Sequence, residues 1–230
     1  MFDKTGTITR GQPEVTNIIS TQDFNEEEVL FYAVGVEAVS EHPLGQAIVE
    51  RVRSKGKTLP EVNDFLSLTG RGVKGVIEGK TVLVGSRKLM QEYEVATGRL
   101  EEEIKQLEDD AKTVMLVALD NTLAGIVAVA DTLKEDSTKA IRELEKMGLK
   151  TAMITGDNQR TAEAIARQTG IDRVLADVLP EGKVEAVRKL QEEYLVVAMV
   201  GDGINDAPAL KQANVGIAIG TGTELLKLPT

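Results

Sequence analysis

Between residues 150 and 219 the chain alternates short apolar runs with stretches of helical periodicity, and this alternation constrains the fold more than any other feature. Lys150–Ile154 predicts a short buried strand, and Asn158–Gln168 a helix stopped by Gly170. Val174-Leu175 is a further apolar pair. Glu181–Glu193 predicts another helix and Leu195–Val200 the strand after it. A short helix runs to about Gln212, and Val215–Ile219 is a last strand. Upstream, Gly125–Ala130 predicts a strand. Leu133–Met147 predicts a helix with Ala140, Ile141, Leu144 and Met147 on its apolar face, ended by Gly148. Strands joined by helices of this length form βαβ units, hence a parallel sheet with helices on both faces.

The middle of the chain follows a different rule. Glu26–Val39 and Leu44–Arg53 predict helices, and Leu100–Asp110 a charged amphipathic one. Phe65–Leu68, Val73–Ile77, Thr81–Val84 and Thr113–Leu119 predict short strands with glycine-containing turns such as Glu78-Gly79, as in an antiparallel α+β unit. Residues 15–125 are therefore expected to be an insertion, dividing a discontinuous domain of residues 1–14 and 126–230.

Composition excludes several functions. A net charge of −10 opposes a broad phosphate-backbone footprint, so no nucleic-acid partner is expected. With no cysteine and one histidine, neither a disulfide framework nor a zinc site is expected. Apolar runs are of strand length, far short of the roughly 20 residues of a membrane helix. Aromatics make up 3% of the chain, so the core must be aliphatic.

In open α/β sheets ligands bind beyond the carboxyl ends of the strands. Four segments occupy such positions. Asp3-Lys4-Thr5-Gly6-Thr7 follows Met1-Phe2 and presents a carboxylate nucleophile, able to take a phosphoryl group. Thr155-Gly156-Asp157 offers a hydroxyl and backbone N–H groups at an expected helix N-terminus. Leu179-Pro180-Glu181-Gly182-Lys183 brings a point charge, Lys183, for transferring oxygens. Gly201-Asp202-Gly203-Ile204-Asn205-Asp206 brings carboxylates. Asp3 and Asp202 suit Mg²⁺, with Asn205 and Asp206 as outer ligands or hydrogen-bonding support.

DKTGT, TGD, Pro180-x-x-Lys183 and GDGINDAPAL together resemble the phosphorylation domain of the P-type ATPases, in the haloacid-dehalogenase-like superfamily. The resemblance covers essentially the whole chain. It implies a Rossmann-type parallel sheet with an inserted antiparallel nucleotide-binding domain. It implies that ATP phosphorylates Asp3, that Asp3, the Thr5 carbonyl and Asp202 hold Mg²⁺, and that Lys4, Thr155, Gly156, Asp157 and Lys183 complete the catalytic set. Many soluble phosphatases of the superfamily carry an aspartate two places after the nucleophile as general acid/base. Thr5 cannot readily do that work, so a longer-lived aspartyl phosphate is implied.

Ser40-Glu41-His42-Pro43-Leu44 resembles the His-Pro signature of the heavy-metal-transporting, copper-transporter-like subclass. On sequence alone a capping or surface histidine is the favoured reading of His42, and a tight turn reads as well as a ligand loop at Gly70-Arg71-Gly72. By resemblance, Glu37, His42, Gly70, Gly72 and Gly85 surround the adenine, with Glu37 accepting from the exocyclic amine. The chain lacks membrane helices and the Thr-Gly-Glu loop of the actuator domain. The resemblance thus implies a soluble, monomeric piece from the cytoplasmic side of a membrane protein, whose actuator and transmembrane domains lie elsewhere. Such a piece binds ATP and hydrolyses it weakly but cannot transport. Only Met1 and Phe2 precede Asp3, and Leu225–Thr230 departs from the family pattern. A free-standing phosphatase and a non-catalytic nucleotide sensor stand as alternatives. Copper(I), silver, zinc, cadmium, lead and cobalt all fit the cargo, with copper slightly favoured.

Overall fold

In the computed structural model the described residues are 1–40, 42–54, 56, 58–202 and 206–219. They carry β1 (Phe2–Asp3), β2 (Thr9–Ser20), α1 (Glu26–Glu37), α2 (Pro43–Arg53), β3 (Asn63–Leu68), β4 (Gly72–Ile77), β5 (Lys80–Gly85), α3 (Arg87–Glu92) and α4 (Glu101–Asp109). Then come β6 (Thr113–Leu119), β7 (Thr122–Leu133), α5 (Ser137–Lys146), β8 (Ala152–Ile154), α6 (Gln159–Thr169), β9 (Arg173–Leu175), α7 (Lys183–Glu193), β10 (Ala198–Gly201), α8 (Ala207–Gln212) and β11 (Val215–Ala218). Two compact units result: Met1–Gly11 with Thr132–Thr230, and Gln12–Asp131.

The first unit is built on a parallel five-stranded sheet in the order β11-β10-β1-β8-β9. Side-chain alternation divides its strands between two faces. Ala152, Ile154 and Met199 join Val187 and Leu190 of α7 and Leu210 of α8 in one core. Met153 and Val200 are buried on the opposite face. Because β1 lies at the centre, the carboxyl ends of β1, β8 and β10 open side by side, as a ligand site in an open α/β sheet requires.

The second unit holds a six-stranded sheet in the order β2-β7-β6-β5-β4-β3, antiparallel from β7 through β3. Strand β6 shows why its sequence is continuously apolar. Met115, Val117 and Leu119 enter the core shared with α1 and α2. Val114, Leu116 and Ala118 enter the core shared with Met90 and Ile104 on α3 and α4. Both faces are covered, so period-2 patterning disappears.

Several sequence expectations change. The chain crosses between units inside the long strands β2 and β7, at Gly11/Gln12 and Asp131/Thr132, rather than at residues 14/15 and 125/126. Gly125–Ala130 belongs to the antiparallel sheet, because β7 pairs with β6. Helix α5 begins at Ser137, not Leu133, and Met147 on its expected apolar face is 73% exposed. Strand β10 starts at Ala198, opposite Val215. Leu195, 99% exposed, lies in the turn before it.

Candidate functional site

Asp3 ends β1, and its neighbours explain how a carboxylate is kept there. It is buried at 6% exposure. The Lys183 ammonium donates to Asp3 Oδ1 at 2.7 Å and to Asp206 Oδ1 at 2.7 Å. Lys183 is the first residue of α7, after a turn set by Pro180–Gly182. Burial pushes the Asp3 carboxyl up to about 6 against the pull of Lys183, leaving it mostly ionised at neutral pH. Burial opposes the charge on Lys183 too, but Asp3 and Asp206 outweigh it and its pKa rises.

Asp206 is fully buried, and its Oδ2 accepts the Asp202 N–H at 3.3 Å. That packing needs Gly201, where a Cβ would stand 2.3 Å from Asp206 Oδ2. Of the two roles expected for Asp206, outer magnesium ligand or hydrogen-bonding support, its described contacts with Lys183 and the Asp202 N–H are of the second kind. Asp202 follows β10. A Cβ on Gly6 would lie 3.5 Å from Asp202 Cβ, so this carboxylate stands beside the Lys4–Ile8 turn. Gly6 occupies the left-handed region at φ 74°, where glycine is favoured.

Thr155 and Asp157, after β8, are buried. The Asp157 N–H donates to Thr155 Oγ1 at 3.1 Å, and Asp157 pairs with the Lys4 ammonium at 2.7 Å. This ion pair between two expected catalytic residues was not foreseen. Thr155 and Gly156 do not form the first turn of a helix. The side chain of Asn158 accepts from Thr161 N–H and caps α6, which starts at Gln159. Asn205 lies outside the described residues, as do Glu41, Gly203, Ile204 and Leu225–Thr230.

The donor set fits a magnesium ion. Mg²⁺ takes one or two carboxylates, with waters and phosphate completing an octahedron. Asp3 and Asp202 bracket a turn whose backbone includes the Thr5 carbonyl. Among the described residues no group of three or more acidic, histidine or cysteine side chains is placed to hold a metal ion.

In the second unit Glu37 ends α1 and is 5% exposed. Among the described residues its Oε2 has no hydrogen-bond partner. Burial pushes its carboxyl up to about 7, although Ser40 donates to it. Gly45, in the first turn of α2, permits this closeness: a Cβ there would stand 2.2 Å from Glu37 Oε2. His42 caps α2, its Nδ1 accepting the Leu44 N–H at 3.3 Å, and Pro43 opens the helix.

Gly72 and Gly85 face each other across β4 and β5. A Cβ on Gly72 would stand 2.1 Å from the Val84 carbonyl oxygen, and one on Gly85 2.1 Å from that of Arg71. Gly70 turns the chain at φ 68°. These glycines therefore have a local cause, close backbone approach. Gly72→Ala is expected to destabilise the second unit by about 2–4 kcal/mol, read as a lower urea midpoint with unchanged slope.

Three comparisons bear on this arrangement. The family model for haloacid dehalogenase-like hydrolases matches residues 1–214. The chain is 49% identical over 225 residues to the copper-exporting P-type ATPase of Bacillus subtilis (strain 168), covering 98% of this chain and 28% of that protein. It is 50% identical over 224 residues to copper-transporting ATPase 2 of Rhizobium meliloti (strain 1021), covering 97% and 27%. The chain thus spans little more than a quarter of the length of these relatives. Among solved structures, a zinc-transporting PIB-type ATPase in the E2.Pi state superposes with a TM-score of 0.63 at 41% identity, over 97% of this chain and 36% of that one. The catalytic domain of the CPx-ATPase CopB-B superposes with a TM-score of 0.66 at 29% identity, over 94% and 78%. Among the described residues no helix is long and apolar enough to cross a membrane.

Proposed function

The chain belongs to the haloacid dehalogenase-like hydrolase family, and from that premise we propose that it is the ATP-binding, autophosphorylating unit of a heavy-metal-pumping P-type ATPase. The observation that carries this reading is the buried bridge from Lys183 to Asp3, 180 residues apart, at the carboxyl end of the central strand. An Asp3 carboxylate oxygen attacks the γ-phosphorus of ATP. The bond from that phosphorus to the β,γ-bridging oxygen breaks, ADP leaves with the electron pair, and an aspartyl phosphate remains. Lys183 holds Asp3 Oδ1, which leaves Oδ2 to attack. Thr155 and the Gly156 N–H steady the phosphoryl oxygens, and Lys4 with Asp157 fixes the two loops against each other. Asp3, the Thr5 carbonyl and Asp202 would hold Mg²⁺, which when bound offsets charge on the phosphate oxygens.

The second unit binds the adenine end. Glu37 Oε2, buried and without a hydrogen-bond partner among the described residues, is suited to accept from an exocyclic amine. His42, Gly70, Gly72 and Gly85 complete the pocket. In the whole protein, actuator and transmembrane domains would complete the pump, with this chain on the cytoplasmic side. The relatives named for copper make a copper ion the favoured cargo.

The test is incubation with Mg²⁺ and ATP labelled at the γ-phosphate, followed by acid quench. Acid-stable label that hydroxylamine removes, and that Asp3→Asn abolishes, is the expected result. Label retained by Asp3→Asn would overturn the assignment. Rapid hydrolysis of a small aryl phosphate would favour a free-standing phosphatase.

A further inference from the structure

Resting on the reading above, we infer that Lys134 is a positioning residue, holding the turn that carries the nucleophile's backbone ligand. The turn Lys4–Ile8 departs from helical geometry at Thr5 and Gly6. Three of its carbonyls are held. Thr9 Oγ1 donates to the Lys4 oxygen at 3.0 Å. The Lys134 ammonium donates to the Gly6 oxygen at 2.5 Å. The Ile8 oxygen accepts from the Lys134 N–H at 3.0 Å and from Ser137 Oγ at 2.8 Å. Two of the three are thus held by the segment between the end of β7 and the start of α5, about 130 residues away in sequence.

At the middle of the turn Gly11 packs against the Gly6 backbone, where a Cβ on Gly11 would stand 3.1 Å from Gly6 Cα. Thr7 Oγ1 is buried and makes no hydrogen bond among the described residues. Lys134 is half-buried and, among the described residues, has no carboxylate partner. Its charge is directed at the backbone oxygen of Gly6, three residues after the nucleophile, where a neutral donor would satisfy the carbonyl alone. A pinned Gly6 carbonyl fixes the Gly6–Thr7 peptide. With Ile8 pinned as well, Gly6 is held in its left-handed conformation against Asp202. The Thr5 carbonyl lies one peptide upstream. Releasing Gly6 would let that carbonyl and Asp202 drift apart while leaving every side chain of the catalytic set in place.

The test compares Lys134→Met, which keeps length and loses the donor, with Lys134→Arg, which keeps a charged donor. Each is read by Mg²⁺ titration of the unphosphorylated chain, followed through Mg²⁺-dependent thermal stabilisation, and by the rate of phosphoenzyme formation. Calorimetry of ADP without Mg²⁺ serves as the control. Lys134→Met should raise the half-saturating Mg²⁺ concentration and slow phosphorylation about 10- to 100-fold. ADP affinity should be unchanged, and Lys134→Arg should recover much of the loss. A wild-type Mg²⁺ requirement in Lys134→Met would overturn the inference. So would a loss matched by a lower ADP affinity and not recovered by arginine, which marks a general folding defect. If the wild-type chain forms no phosphoenzyme, the proposed function fails, and the Mg²⁺ titration still decides the role of Lys134.

Discussion

Lys183→Met is expected to lower phosphoenzyme formation by about 100- to 1000-fold and to destabilise the parallel-sheet unit by about 3–5 kcal/mol at pH above about 7. The ammonium is the shared partner of Asp3 and Asp206, with side-chain exposures of 11%, 8% and 0%. Methionine fills similar volume but leaves two carboxylates facing each other away from water. Such a pair relieves itself by taking up protons. Burial already raises the Asp3 carboxyl to about 6 with Lys183 present, and without the ammonium it rises further. A folded-state value above the unfolded one means stability is intact at low pH and is lost as pH rises through the raised value. The variant should therefore approach wild-type stability near pH 5 and fall away from it toward pH 8. Urea titrations of both proteins across that range measure the difference. A deficit independent of pH would show that lost packing, not unpaired charge, is the cause.

The positions of Asp3, Thr155, Lys183 and Asp202 were legible because each follows an apolar run at a strand's carboxyl end, and a parallel sheet brings those ends together. What joins them was not legible. Asp206 bonding Lys183 and Lys4 pairing with Asp157 depend on loop geometry that spacing does not encode. Lys134 gave no local signal, because its partner lies in the first turn of the chain. Strand β2 was missed for a related reason. Thr9–Ser20 contains Gly11 and Pro13 and does not alternate cleanly. It lies at the edge of its sheet, where proline is tolerated, beside β7. Gly125 permits that approach, since a Cβ there would stand 2.4 Å from the Ile19 carbonyl oxygen. The overextended predictions at Leu133 and Leu195 have the opposite origin. Apolar residues continue the pattern there, but Leu133 ends β7, and no strand pairs with Leu195.

Glu37→Gln is expected to remove a stability slope of about 3 kcal/mol between pH 4.5 and 8 and to weaken adenine-nucleotide binding about 10- to 100-fold. The side chain is enclosed by the end of α1 and the first turn of α2, where it lies so close to Gly45 that a Cβ there would stand 2.2 Å from its Oε2. Burial raises the carboxyl from 4.5 to about 7, with Ser40 as the opposing hydrogen bond. The penalty of the charged form is therefore absent below about pH 4.5 and complete above about pH 7. Wild-type stability falls across that window, whereas glutamine, which does not ionise, is flat through it. The difference between the two proteins isolates Glu37 from other titrating groups. Binding carries the opposite sign. An exocyclic amine donates to the carboxylate and competes with the proton, so wild-type affinity for ADP should rise as pH climbs through 7. The Glu37→Gln chain should lack that rise. Calorimetry at about pH 6 and pH 8 on both proteins decides it. A parallel rise in wild type and variant would assign the pH dependence to the nucleotide and remove Glu37 from the adenine pocket.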